Sequence, residues 1–202
     1  MVPMTASERA CAASHLALWK RLADGDLEPF KCNSTKRDMA LILEDDALLS
    51  PYFVQRINML LQHPDMAGMD LCFIGYSLPG AVRHKVKQAL EQLKDDSRAS
   101  QAKRGVKHGP TPMHVDFCWQ AHAYLLSREG AKRLTARKPH ESLIDAPVDI
   151  TMATRMKSKR IAAMACHPAL ADQSHEYTDI VDVKSNAIQR VDTRGGAILQ
   201  YL

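Results

Sequence analysis

Three consecutive carboxylates, Glu44, Asp45 and Asp46, follow a short apolar run and are the clearest indication of chemistry in this sequence. Neighbouring anions of this kind repel one another unless a cation joins them. Carboxylate oxygens suit Mg²⁺ or Mn²⁺, and such an ion would neutralise the diphosphate of a nucleotide substrate. The alternative is an acidic turn that caps the following helix, and the residues alone leave both interpretations open.

The apolar run before this acidic triplet predicts a buried β-strand, because residues 39–43 show no alternation of apolar and polar side chains. Such a strand is typical of a parallel sheet that is covered on both faces. Open α/β sheets bind their ligands at the carboxyl ends of the strands. We therefore expect the triplet to border a pocket at that edge of the sheet.

Helices and strands are expected to alternate around this strand. Thr5 and Glu8 form a capping box, and the apolar spacing that follows predicts an amphipathic helix that stops at Gly25. Short apolar runs predict strands at 70–77, 115–119, 123–126 and 160–166. Capping and proline signals predict three more helices: one capped by Ser50 with Pro51 at its first position, one capped by Ser127, and one that begins near Pro147. This order predicts an α/β fold.

Composition narrows the class of protein. The 202 residues, 46% apolar and 25% charged, are enough for one substantial core and indicate a single globular domain. A net charge of +4 falls short of a nucleic-acid-binding footprint, so no nucleic-acid partner is expected. The 5 cysteines include no CxxC pair, which disfavours a zinc site or a disulfide framework. No stretch approaches the roughly 18 apolar residues that span a bilayer.

Two segments lack a strong pattern. Residues 79–112 carry an excess of basic side chains and predict either a mobile flap or a solvated loop. After residue 181 no periodicity is visible, so residues 182–202 are expected to form a poorly ordered tail.

Several segments stand in an order that resembles a known family. The first is SERACAASHLALW, with Glu8, Cys11, Ser14 and His15, and the second is LEDD at 43–46. AYLLS at 123–127 with the following Gly-Ala and Leu, PVD at 147–149, and a weaker match from His167 to Ile180 complete the series. Together they resemble the motifs of glycosyltransferase family 25, which contains lipooligosaccharide galactosyltransferases and collagen hydroxylysine galactosyltransferases.

The resemblance covers roughly residues 7–181 and implies one domain over residues 1–181. It implies a GT-A-like α/β fold, with a Rossmann-like mixed sheet flanked by helices, that lacks the first βαβ unit. Ser7 and Ala10 replace two glycines of the family's first motif. We therefore expect an N-terminally truncated chain, or a relative that has lost activity.

The resemblance also implies roles for the triplet. Glu44 and Asp46 are the expected ligands of Mn²⁺ or Mg²⁺, with Asp179 as a later ligand. Asp45 is expected to face the ribose or the sugar of a UDP-sugar donor.

Residues outside the triplet complete the expected site. Asp149 is the first candidate for the catalytic base and Asp145 is the reserve, although Asp149 can also simply complement a helix dipole. Ser14 and His15 are candidates for donor binding, and the alternative for His15 is a hydrogen-bonded core histidine.

The expected function is metal-dependent, inverting transfer of a hexose, galactose by the resemblance, from a UDP-sugar to a saccharide or a hydroxylated side chain. The alternative is an inactive or carbohydrate-binding relative without a complete donor site. The acceptor would be a glycan or a glycoprotein. A cytoplasmic, membrane-peripheral location is favoured, or the ER lumen if a preceding segment carries a signal.

Overall fold

A computed structural model describes residues 4–27, 29–32, 37–77, 109–136, 145–174 and 198–200 of the chain. The helices of this part are α1 (Ala6–Asp24), α2 (Phe53–Leu61), α3 (Arg128–Thr135) and α4 (Val148–Lys157), with a 3₁₀ turn at Pro64–Met66. The strands are β1 (Phe30–Cys32), β2 (Arg37–Leu43), β3 (Ala47–Leu49), β4 (Leu71–Ser77), β5 (Thr111–His114), β6 (Trp119–Ser127), β7 (Ala163–His167), β8 (Ala171–Gln173) and β9 (Ile198–Gln200).

A 7-stranded mixed sheet forms the centre of the fold, in the order β1-β2-β6-β4-β7-β5, and β9 also pairs with β2. β6 runs antiparallel to both β2 and β4, and β7 runs parallel to β4. As a result β2, β4 and β7 share one direction, and their carboxyl ends lie at the same edge. Strands β3 and β8 form a separate two-stranded ribbon. The expected α/β class and mixed sheet are confirmed.

The expectation that β2 has parallel neighbours is wrong, since the strands that pair with it in the described part of the chain, β1, β6 and β9, are all antiparallel to it. Alternate β2 side chains enter two different cores: Ala40 and Ile42 pack with α1, α3 and α4, whereas Met39, Leu41 and Leu43 pack with α2. A continuous apolar run therefore records burial on both faces of the sheet. It carries no information about strand direction.

The first helix is built as its sequence predicts. The Thr5 hydroxyl accepts a hydrogen bond from the Glu8 backbone N–H at 3.2 Å, and Glu8 accepts one from the Thr5 N–H at 2.6 Å. Gly25 ends the helix with a φ of 91°, a conformation that favours glycine. The Ser127 cap of α3 is also confirmed, because its hydroxyl accepts the Gly130 N–H at 2.9 Å.

Three local predictions differ from the structure. Helix α2 begins at Phe53, because the Ser50 N–H donates to the Leu170 carbonyl at 2.8 Å and ties that residue to the segment between β7 and β8. The prediction of a strand at 115–119 is wrong over residues 115–118, which connect β5 to β6, and Trp119 is already the first residue of β6. Pro112 of β5 is tolerated because β5 is an edge strand beside β7. Residues 198–200 of the predicted tail form β9 along β2.

Other predictions lie outside the described residues: the insertion from 79 to 108, Asp179, and the tail from 182 to 197. Among the helices that are described, none has the length and apolar character needed to cross a membrane.

Candidate active site

The acidic triplet lies directly after β2, at the edge shared by the carboxyl ends of β2, β4 and β7. The Glu44 N–H donates to the His122 carbonyl of β6 at 2.8 Å, and the Asp46 carbonyl accepts the Ser174 N–H at 2.8 Å. These bonds anchor the turn between the sheet and the segment after β8. Asp45 is exposed, whereas Glu44 and Asp46 are half-buried.

Helix α1 contributes two side chains that hold Glu44. His15, which is only 1% exposed, has its Nε2 3.0 Å from Glu44 Oε1, and Cys11 Sγ donates to the same oxygen at 3.7 Å. Burial, helped by the nearby charge of Glu44, raises the pKa of Cys11 to about 12. Cys11 therefore stays a protonated thiol that donates to the carboxylate.

Tyr124 of β6 lies on the other side of the His15 ring. Its hydroxyl is 2.7 Å from His15 Nδ1 and accepts a hydrogen bond from Trp19 Nε1 at 2.8 Å. Burial raises the pKa of Tyr124 well above its ordinary value, so the hydroxyl keeps its proton. Trp19, Tyr124, His15 and Glu44 thus form one chain of hydrogen bonds from the core to the acidic triplet.

This chain of hydrogen bonds sets the ionisation of Glu44. Burial by itself would raise the pKa of Glu44, but the hydrogen bond from His15 and the nearby His122 and Cys11 outweigh it and lower the pKa. Glu44 is therefore held as a carboxylate, the form that binds a cation.

The described part of the chain contains one group of three potential metal ligands whose ligand atoms all lie within 4.8 Å of one another, and it consists of Cys11, His15 and Glu44. The Cys11 thiol and the His15 ring already donate to Glu44, as the distances above indicate. We read this group as a hydrogen-bonded support for Glu44. It offers few free lone pairs to an ion.

Asp46 presents a different environment. Its Oδ2 accepts a hydrogen bond from Gln173 Nε2 at 2.6 Å, while its buried Oδ1 has no hydrogen-bond partner among the described residues. Burial raises the pKa of Asp46 despite the Gln173 bond, and the charges of Glu44 and Asp45 add to the effect. A buried carboxylate oxygen without a partner is an available ligand for a cation.

His122 was not predicted from the sequence. It is 1% exposed, and within the described chain neither ring nitrogen has a hydrogen-bond partner at bonding distance. Burial lowers its pKa, whereas Glu44, Asp46 and the nearby Ala171 backbone act in the opposite direction. The ring fits because residue 75 is glycine: a Cβ there would lie 2.3 Å from His122 Nε2.

Asp149 lies in the first turn of α4, half-buried, and its Oδ1 accepts the Ile150 N–H at 2.8 Å. Burial raises its pKa, backbone hydrogen bonds oppose the rise, and the charge of Glu44 adds to it. Asp149 and Asp46 also raise the pKa of Cys11. The structure therefore brings Glu44, Asp46 and Asp149 into one electrostatic environment.

Among the described residues, Asp145 and Ser14 make no hydrogen bond to the acidic triplet. Asp145 is exposed before α4, and Ser14 uses its hydroxyl to bond the Ala10 carbonyl of its own helix at 3.0 Å. Asp179 is outside the described residues. His15 is buried and hydrogen-bonded, as the core alternative predicted, yet it contacts the acidic triplet directly.

The comparisons with known proteins agree on one family. The model of glycosyltransferase family 25, described as an LPS biosynthesis protein, matches residues 1–152. A glycosyltransferase 25 family member of Aedes aegypti is 25% identical over 94% of this chain and 28% of its own length. One of Drosophila pseudoobscura pseudoobscura is 29% identical over 72% of this chain and 18% of its own length.

Human procollagen galactosyltransferase 2 is 26% identical over 73% of this chain and 19% of its own length. The chain thus spans between 18% and 28% of the length of these relatives. No solved structure gives a significant match.

Proposed function

Because the chain belongs to glycosyltransferase family 25, we propose that it takes part in the transfer of a hexose from a UDP-sugar to a saccharide or a hydroxylated side chain. Galactose is the proposed sugar, since a relative is named procollagen galactosyltransferase 2. The proposed reaction inverts the anomeric carbon and uses Mn²⁺ or Mg²⁺.

One observation supports this proposal above the others: Asp46 Oδ1 is a buried carboxylate oxygen without a partner in the described chain, and burial, together with the charge of Glu44, raises the pKa of both Asp46 and Asp149. A cation would satisfy both the charge and the unpaired oxygen.

The residues present fit a hard divalent ion. Mg²⁺ is commonly held by one or two carboxylates together with substrate phosphates, and Mn²⁺ accepts the same ligands. Glu44 and Asp46 would supply those carboxylates, and Asp179 is proposed as a further ligand. When bound, the ion would neutralise the charge of the leaving diphosphate.

The chain's own residues have distinct proposed tasks. Asp149 would accept the proton of the acceptor hydroxyl, and a raised pKa improves a carboxylate as a base near neutral pH. Asp145 is the reserve for this role. Exposed Asp45 would contact the ribose or the sugar of the donor.

The test is UDP release from a panel of UDP-sugars with Mn²⁺, in the presence of saccharide and hydroxylysine acceptors. We expect UDP-galactose to give the highest rate, and Asp46→Asn and Asp149→Asn each to lower it at least 100-fold, on the order of a lost catalytic group. The matched control is Asp65→Asn, an exposed carboxylate outside the acidic triplet. Equal rates in Asp46→Asn and Asp65→Asn would contradict the proposal.

The alternative, a carbohydrate-binding relative that does not transfer, predicts a different pattern. UDP-sugar would bind in calorimetry, and no UDP would be released with any acceptor.

A further inference from the structure

We infer that Tyr124, supported by Trp19, is a positioning residue that holds His15 as the Nε2–H tautomer and so presents Glu44 to a cation as an oriented carboxylate. The hydrogen-bond part of this inference stands on the geometry alone. The metal part rests on the proposed function.

The direction of each hydrogen bond follows from the donors present. The indole N–H of Trp19 can only donate, so the Tyr124 oxygen accepts that bond. Tyr124 has one proton of its own, and the partner found for it in the described chain is His15 Nδ1, 2.7 Å away. Nδ1 must then carry a lone pair, and the ring proton lies on Nε2.

The Nε2 proton points at Glu44 Oε1, 3.0 Å away. Cys11 donates to the same oxygen at 3.7 Å. Two donors thus share Oε1, and no hydrogen bond to Oε2 is found in the described part of the chain. Glu44 is therefore oriented to offer Oε2 as a single ligand atom.

The position of these residues suits such a role. Tyr124 and Trp19 are 0% and 2% exposed, so the ring of His15 is held between a buried hydroxyl and the half-buried carboxylate. Residues that orient a metal ligand through hydrogen bonds commonly change metal affinity by about 10- to 100-fold when they are altered. His15 is such a residue, and Tyr124 acts on Glu44 through it, so the effect of Tyr124→Phe is expected at the lower end of that range, about tenfold.

The first experiment reads the tautomer directly. The full chain is labelled with ¹⁵N-histidine, and the His15 signals are identified by their loss in His15→Gln. We expect a protonated Nε2 and a hydrogen-bonded, unprotonated Nδ1. In Tyr124→Phe the Nδ1 resonance should move to the position of a free ring nitrogen, whereas in Tyr76→Phe, whose lost hydroxyl bonds the Cys166 carbonyl, it should stay unchanged. A protonated Nδ1 in the wild type would overturn the inference.

The second experiment measures Mn²⁺ dissociation constants by calorimetry for the wild type, Tyr124→Phe and Tyr76→Phe. Tyr76 is the matched control, because its hydroxyl donates to the Cys166 carbonyl at 3.0 Å and takes no part in this chain of hydrogen bonds. We expect the dissociation constant to rise about tenfold in Tyr124→Phe and to stay within twofold in Tyr76→Phe. Equal constants in the two variants would overturn the positioning role.

A further pair of variants keeps the test decisive if Tyr124→Phe does not fold. His15→Gln retains an N–H donor toward Glu44 and His15→Leu does not, so Mn²⁺ should bind more tightly to the first. Equal binding would overturn the inference. A wild type that binds no Mn²⁺ would refute the proposed metal and with it the metal part here, while the ¹⁵N spectra would still decide the hydrogen-bond direction.

Discussion

The close contact between Gly75 and His122 leads to a quantitative prediction. A Cβ added at residue 75 would lie 2.3 Å from His122 Nε2, 2.7 Å from its Cδ2 and 3.0 Å from the Ala123 Cβ. An ordinary contact begins at 3.4 Å, so the imidazole must move by roughly 1 Å. His122 is only 1% exposed, and the surrounding core leaves it little room to do so.

Overpacking of this kind typically costs about 1 to 3 kcal/mol, and we expect Gly75→Ala to lower the free energy of unfolding by about 2 kcal/mol. In a His122→Ala background the two shortest contacts disappear and the 3.0 Å contact with the Ala123 Cβ remains. The same substitution should then cost less than about 1 kcal/mol, which corresponds to a coupling energy of at least 1 kcal/mol.

Urea unfolding followed by tryptophan fluorescence would measure all four members of this cycle. His114→Ala provides the matched background, because His114 is an exposed histidine on the edge strand β5. Gly75→Ala should cost as much in that background as in the wild type. If it costs equally in the His122→Ala background too, the steric reasoning is refuted.

Three other predictions concern stability. Burial raises the pKa of Asp46, so the ionisation of this carboxyl opposes folding. Asp46→Asn should therefore unfold at a higher temperature than the wild type at pH 7. In a calorimetric pH series this difference in unfolding temperature should vanish as the pH falls to the ordinary pKa range of aspartate. Asp70 is 0% exposed and accepts hydrogen bonds from Arg133 at 2.5 Å and from the Ala162 N–H at 2.8 Å. Asp70→Ala should therefore lower the free energy of unfolding, measured in urea, by about 2 kcal/mol. A loss below about 0.5 kcal/mol would show that the half-exposed arginine needs no partner. Ser127→Ala should lower the free energy of unfolding by about 1 to 2 kcal/mol, because it leaves the buried N–H of Gly130 without a partner. Ser14→Ala should lower it by less than about 0.5 kcal/mol in the same measurement. Equal losses in the two variants would contradict the role of Ser127 as a helix cap.

Local signals in the sequence predicted much of the fold. The capping box of Thr5 and Glu8, the stop at Gly25 and the start of α3 at Ser127 were predicted correctly. Each depends on hydrogen bonds between residues a few positions apart, which the spacing of residue types records directly. The strand before the acidic triplet was predicted for the same reason, since burial on both faces leaves a continuous apolar run.

The sequence also determined the family, because its motifs are short segments whose order survives in the chain. It placed Glu44, Asp46 and Asp149 as site candidates. It gave no signal for His122 or for the hydroxyl of Tyr124, whose partner His15 is 109 positions away. It also misjudged the strand direction around β2 and the start of α2.

Only the tertiary structure decided how the site is assembled. The contact of α1 with β6 brings His15 between Tyr124 and Glu44, and the absence of a side chain at Gly75 leaves space for the ring of His122. These contacts join residues from distant parts of the chain, and no periodicity or local spacing encodes them. Residue types determine which chemistry a chain can offer, while packing determines which of those groups meet and in which protonation state.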